Sequence, residues 1–108
     1  MALYMVQFAY TPQAWKQFSK NPEDRTAAVK TLLEQAGCRF ESLYYSFGEY
    51  DGFLIIEAPN EMDAMTFVLA ALGPGHLRGT KTTLLMRPSN VVEAMRKAGT
   101  LSFRGPKE

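Results

Sequence analysis

The 108-residue sequence predicts a single α+β domain of order βαββαβ, with a four-stranded antiparallel sheet and one added C-terminal helix. Three observations carry that expectation. Apolar and aromatic runs of strand length alternate with segments of helical periodicity. The helical segments open on Pro or Asn and close on Gly. The length suits one hydrophobic core. Residues 1–99 form the expected domain and 100–108 a tail.

The first strand is Leu3 to Ala9, almost wholly apolar. Thr11 and Pro12 then cap and open a short helix carrying Trp15 and Phe18. Asn21-Pro22-Glu23-Asp24 repeats that signal, so a second helix is expected from Asn21, with Ala28, Val29, Leu32, Leu33 and Ala36 inward and Gly37 as its stop. Cys38 to Phe47 is aromatic-rich and imperfectly alternating, which suits a strand. Gly48 to Gly52 makes a turn into the strand Phe53 to Ala58. Pro59-Asn60-Glu61 opens a helix with Met62, Met65, Val68, Leu69 and Leu72 on one side, closed by Gly73-Pro74-Gly75. Thr80 to Arg87 is the last strand, and Pro88 to Ala98, stopped by Gly99, the last helix.

Right-handed strand-helix-strand crossovers put both main helices on one face of the sheet. The uncovered face of such a sheet is ordinarily polar. Here Tyr4, Val6 and Phe8 oppose Leu3, Met5 and Ala9; Phe53 and Ile55 oppose Leu54 and Ile56; Phe40 and Tyr44 oppose Leu43, Tyr45 and Phe47. Both faces are apolar, so a second copy is expected on the open face as a homodimer or higher homo-oligomer.

A net charge of +1 gives no footprint for nucleic acid or an anionic membrane surface. The longest apolar run, Phe67 to Leu72, is too short for a bilayer, and Met1-Ala2 leads straight into a strand, so the expected location is cytoplasmic. Cys38 is the sole cysteine, which excludes an intrachain disulfide and a cysteine zinc cluster. Phosphate-loop and Gly-x-Ser-x-Gly motifs are absent from the sequence.

The segment Tyr44 to Asp51, with Ile55 to Pro59, resembles the GYD-domain family, whose Gly-x-Tyr-Asp turn is here Gly48, Tyr50 and Asp51. Tyr10-Thr11-Pro12, Asn21 to Arg25, Ala27-Ala28 and Thr82 to Pro88 are similar to that family too. The resemblance spans roughly Tyr4 to Ala98 and implies a ferredoxin-like fold that pairs into a dimeric α/β-barrel. It implies no reaction. Gly-Glu-Tyr-Asp also resembles the ligand-sensing domain of leucine-responsive-type regulators, where it lies at a dimer interface beside an amino-acid site; their DNA-binding helix-turn-helix has no counterpart here.

Candidate ligand-binding residues are Gln7, Tyr10, Trp15, Tyr45, Tyr50, Asp51 and His76. Each also has a plain structural reading. Gly48 is expected to supply a positive φ to the turn and Asp51 to bond backbone amides nearby. Tyr50 serves equally as a packed ring or a phenol donor. Gln7 is a lone polar group in an apolar strand and needs a partner across the dimer or on a ligand. Tyr10, Trp15 and Tyr45 suit pocket walls or ordinary packing. His76 is the sole histidine and lies in a glycine-rich loop. Haem-degrading monooxygenases of the dimeric α/β-barrel class place a histidine ligand near that point, with an asparagine and a tryptophan elsewhere; this chain has His76 but Gln7 and Phe67 at the other two. Haem, held by His76, is the only cofactor that resemblance suggests, and no other metal site is expected. The functional expectation is a small-molecule-binding dimeric protein with its pocket between helices and sheet. The alternatives are a monooxygenase-like enzyme, cofactor-independent or haem-dependent, and a purely structural subunit.

Overall fold

A computed structural model describes residues 1–107. The elements are β1 (Ala2–Tyr10), α1 (Pro12–Lys20), α2 (Thr26–Gln35), β2 (Arg39–Tyr45), β3 (Gly52–Ala58), α3 (Glu61–Leu72), β4 (Leu77–Leu85) and α4 (Pro88–Ala98). The four strands form one antiparallel sheet in the order β2-β3-β1-β4, which does not close on itself. This is the expected α+β arrangement. β1 is central, paired with β3 on one side and β4 on the other.

Alternation along β1 divides the molecule. Val6, Phe8 and Tyr10 join Leu54, Ile56 and Ala58 of β3 beneath Ala14 of α1, Leu33 of α2 and Ala64, Phe67 and Val68 of α3. Leu3, Met5, Gln7, Phe53, Ile55 and Leu85 lie on the opposite face, none of them buried. That face carries no helix. The last helix leaves it open as well, since α4 buries none of its residues.

Several boundaries differ from expectation, each for a local reason. α2 begins at Thr26 rather than Asn21, because Asn21 closes α1 by donating its N–H to the Gln17 carbonyl. Capping passes to Asp24, whose Oδ1 accepts the Thr26 N–H at 2.9 Å. β2 ends at Tyr45 because the Ser46 N–H turns back to the Asp51 carbonyl. β4 starts at Leu77, where a bulge at Ala9/Tyr10 lets Tyr10 pair with it. Gly48 has no positive φ; Gly37 at +78° and Gly75 at +85° are the glycines in that region.

Two face assignments also change. A bulge at Glu41 adds one residue to β2, so Phe40, Leu43 and Tyr45 share the helix side and Tyr44 alone turns outward with Ser42. A period-two reading runs through such a bulge and inverts every residue beyond it. α3 presents Ala64, Phe67 and Val68 inward, while Met62, Met65 and Leu69 stand exposed. Its second half is apolar all round, and such a helix does not declare its buried side.

Gly52 pairs with both Phe8 and Tyr45 where β3 begins. A Cβ there would stand 2.6 Å from Phe8 Cζ and 2.6 Å from the Tyr44 carbonyl oxygen. Backbone on one side and a buried ring on the other leave it no room. Gly52→Ala should therefore destabilise the fold by about 3 kcal/mol, read as a lower urea midpoint with an unchanged slope.

Candidate functional site

The β1–α1 junction is held by one carboxylate. Asp51 Oδ2 accepts the Tyr10 backbone N–H at 2.8 Å and the Trp15 indole Nε1–H at 3.2 Å. The Asp51 N–H itself donates to the Phe8 carbonyl at 2.8 Å. The Asp51 carboxylate thus bonds to backbone 41 residues away rather than to the amides of its own turn. Thr11 then caps α1, its Oγ1 accepting the Ala14 N–H at 3.1 Å, and its own N–H donates to the His76 carbonyl.

Around this clamp the aromatic rings converge. Tyr10 meets Phe8, Trp15 and Phe18 edge-on, with centroids 5.0–5.4 Å apart. The Tyr10 and Tyr45 hydroxyls share a hydrogen bond of 3.3 Å. Burial, reinforced by that bond, pushes the Tyr10 phenol well above its ordinary value, so it stays protonated throughout the physiological range.

Next to this cluster a cavity of about 280 Å³ opens between α1, α2, α3 and the sheet. Its walls are largely apolar, from Val6, Phe8, Leu32, Leu54, Phe67 and Val68. Polar groups enter as Tyr10, Gln17, Glu23, Arg25, His76 and Thr80. Arg25 bonds Glu23 at 3.0 Å and lies over the Phe18 ring, 5.7 Å from its centroid.

The seven candidates therefore separate. Tyr10 and His76 line the cavity. Trp15, Tyr45 and Asp51 sit in the cluster that backs Tyr10. Tyr50 is half-buried in the bend, its carbonyl accepting from Ser46 Oγ. Gln7 lies on the other face of the sheet, between Phe53 and Lys81, and takes no part in the cavity. Arg25, Glu23, Gln17 and Thr80 were not anticipated; nothing in their spacing marks them, and only the fold brings them to one opening. Cys38 is buried, and desolvation with the nearby Asp63 charge raises its thiol pKa, which leaves it a poor nucleophile. Among the described residues no three His, Cys, Asp or Glu side chains gather as a metal site, and no helix is long and apolar enough to cross a membrane.

The model of the GYD domain matches residues 4–95. A comparison with curated proteins finds no match. Among solved structures, MtbAldR superposes with a TM-score of 0.56 at 16% identity over 80% of this chain, which spans about half (52%) of that protein's length. A Thermus thermophilus protein gives 0.53 at 15% identity, over 81% of this chain and 95% of its own. The 30S ribosomal protein S6 of Thermotoga maritima gives 0.50 at 15% identity, over 91% and 97%. At such identities these likenesses establish the ferredoxin-like fold and nothing about activity.

Two outcomes follow. Asp51→Ala leaves the buried Tyr10 N–H without an acceptor and should cost about 2 kcal/mol, with a shift in Trp15 fluorescence as the indole loses its partner. Because the folded state holds the Tyr10 proton more tightly than the unfolded chain, this group's contribution is complete below the ordinary value of 10.0 and is lost as pH rises above it. Stability measured from pH 9 upward should therefore decline less steeply in Tyr10→Phe than in the parent.

Proposed function

We propose that this chain, which belongs to the GYD-domain family, binds a small amphipathic molecule in the cavity between its helices and sheet and acts as a cytoplasmic homodimer joined through the open sheet face. The cavity is the observation that carries this reading. It is a cleft open to solvent at its rim, where Gln17, Glu23, Pro74 and His76 are exposed, and it offers about 280 Å³, room for roughly nine waters at ~30 Å³ each. That volume suits a guest with one aromatic ring or a medium-length alkyl chain.

The lining sets the chemistry of the guest. Apolar walls favour a hydrocarbon body. Tyr10 offers a phenol that keeps its proton, so it donates to an oxygen or nitrogen on the guest. Glu23 and Arg25 neutralise one another at 3.0 Å, so the opening favours no large net charge. Haem finds little support in this arrangement: His76 is an exposed loop side chain, and Gln7 lies on the opposite face of the sheet from the cleft. A purely structural subunit gives no reason for the void.

The dimer rests on the open face. Leu3, Met5, Phe53, Ile55 and Leu85 adjoin one another across three strands there, with the Tyr44 and Phe53 rings tilted against each other, centroids 5.7 Å apart, on the β2 side. Isologous pairing removes this surface from water and brings Gln7 to the seam, where its amide can find the partner it lacks on its own strand.

Native mass spectrometry of protein from its own host should find a retained small molecule at one per chain. Octanoate and indole serve as probes in thermal-shift titrations. Ala71→Phe, which fills the cavity from α3, should lower probe affinity about tenfold or more while leaving the fold intact; unchanged affinity in that variant would refute the site. Ile55→Lys should remove the sheet-face contact, read as a smaller assembly in sedimentation equilibrium, since it places a charge in the middle of the apolar face.

A further inference from the structure

We propose that α4 and the residues after it form an arm that docks on the exposed face of α3 in a second copy of the chain. Three features of the molecule meet in this inference: a helix without a home, an apolar stripe without a cover, and a charge pattern that matches them.

The helix comes first. α4 is 11 residues long and buries none of them. No other element packs along it among the described residues. The radius of gyration is 18.2 Å and the long axis 62 Å, whereas a compact domain of this length has a radius near ~13 Å. An isolated helix shorter than about 12–15 residues is marginal in water, so α4 needs a surface. It has an apolar side to offer one: Val91, Met95 and Ala98 recur at helical spacing, and Val92 and Met95 are 40% and 63% exposed.

The stripe is on α3. Met62, Met65 and Leu69 are 71%, 57% and 58% exposed and follow one another along a single side of the helix. α3 has 12 residues, so the two helices match in length.

Charge selects this surface over the open sheet face. From Arg87 to Glu108 the chain carries five basic residues against two acids, whereas residues 1–86 carry nine acids against seven basics. α3 holds Glu61 and Asp63 in its first turn and no Lys or Arg. The sheet face instead presents Lys81 and Arg39, and its Glu57 is already shared between Arg39 and Arg87. A basic arm is therefore drawn to α3. An antiparallel lay sets Arg96 and Lys97 near Glu61, Met95 near Met65, and Val92 near Leu69. It also opposes the two helix dipoles, with basic residues at one C-terminus and acids at the other N-terminus.

The surface belongs to another copy because only Met86 and Arg87 separate β4 from α4. β4 is hydrogen-bonded into the sheet up to Leu85, and two residues are too few to carry the arm over the sheet edge and back along its own α3. Reciprocal exchange gives two docks per pair. This contact is separate from the sheet-face dimer and does not depend on it.

The test uses the full chain carrying both Leu69→Cys and Val92→Cys, oxidised with copper phenanthroline; Cys38 is buried and stays silent. Non-reducing electrophoresis should show covalent dimers and larger species that collapse on reduction. A disulfide within one chain, or thiols left free, overturns the proposal. Sedimentation equilibrium gives the second arm. Met95→Glu and Leu69→Glu alter exposed positions and should preserve the circular dichroism spectrum while weakening association about tenfold or more. The pair Arg96→Glu and Lys97→Glu should weaken it too, and adding Glu61→Lys should restore it. Association abolished by Ile55→Lys yet untouched by Met95→Glu and Leu69→Glu would mean that only the sheet faces meet, which also overturns the arm.

Discussion

One carboxylate fixes the relation between the two halves of this domain. Asp51 lies in the β2–β3 connection, yet its bonds reach Tyr10 at the end of β1 and Trp15 in α1. A buried N–H at a strand end has no ladder partner, and an acceptor that supplies one anchors everything that follows it. Through Tyr10 the clamp orients the aromatic cluster. Through Trp15 it sets the approach of α1, and hence one wall of the cavity. The turn signature that marks the family thus has a structural task at the edge of the site, and the polar groups facing the cavity come from other elements.

β1 serves two surfaces at once. Its even-numbered residues from Val6 to Tyr10 line the core and cavity; Met5 and Gln7 face the open side. The backbone between them is bonded on both edges, to β3 and to β4, so it shifts little without disturbing both neighbours. The cleft on one face and the open apolar surface on the other therefore share one rigid strand.

Much of the architecture was legible in the sequence. Apolar runs marked β1 and β3, and Thr11-Pro12 and Pro59-Asn60-Glu61 marked two helix starts; the Thr11 cap forms as read, accepting from Ala14, and Asn60 caps the later helix by accepting from Asp63. What escaped depended on partners distant in sequence. Asn21 looks like a helix start, but α1 claims its N–H. The Glu41 bulge leaves no signature in composition, so period-two reading grouped Phe40 with Tyr44 instead of with Leu43 and Tyr45. α3 is too uniformly apolar in its second half to reveal which side it buries. At the site, aromatic residues with polar tips pointed to Tyr10 and Trp15. Arg25 and Glu23 escaped because an ion pair two residues apart in a loop reads as solvated surface until the fold sets it over a cavity.

The bulge at Glu41 has a further consequence, at the rim of the sheet. β2 and β4 are edge strands, and each offers a row of unpaired amides and carbonyls to any strand that drifts past. Glu41 breaks that row on β2, setting an exposed acid and a twist where a straight ladder would continue, with Arg39 beside it. On β4 the exposed side chains of Arg78 and Lys81 guard the other rim. Fibrous growth by strand addition is discouraged at both ends, so the apolar surface this molecule leaves open is confined to its faces.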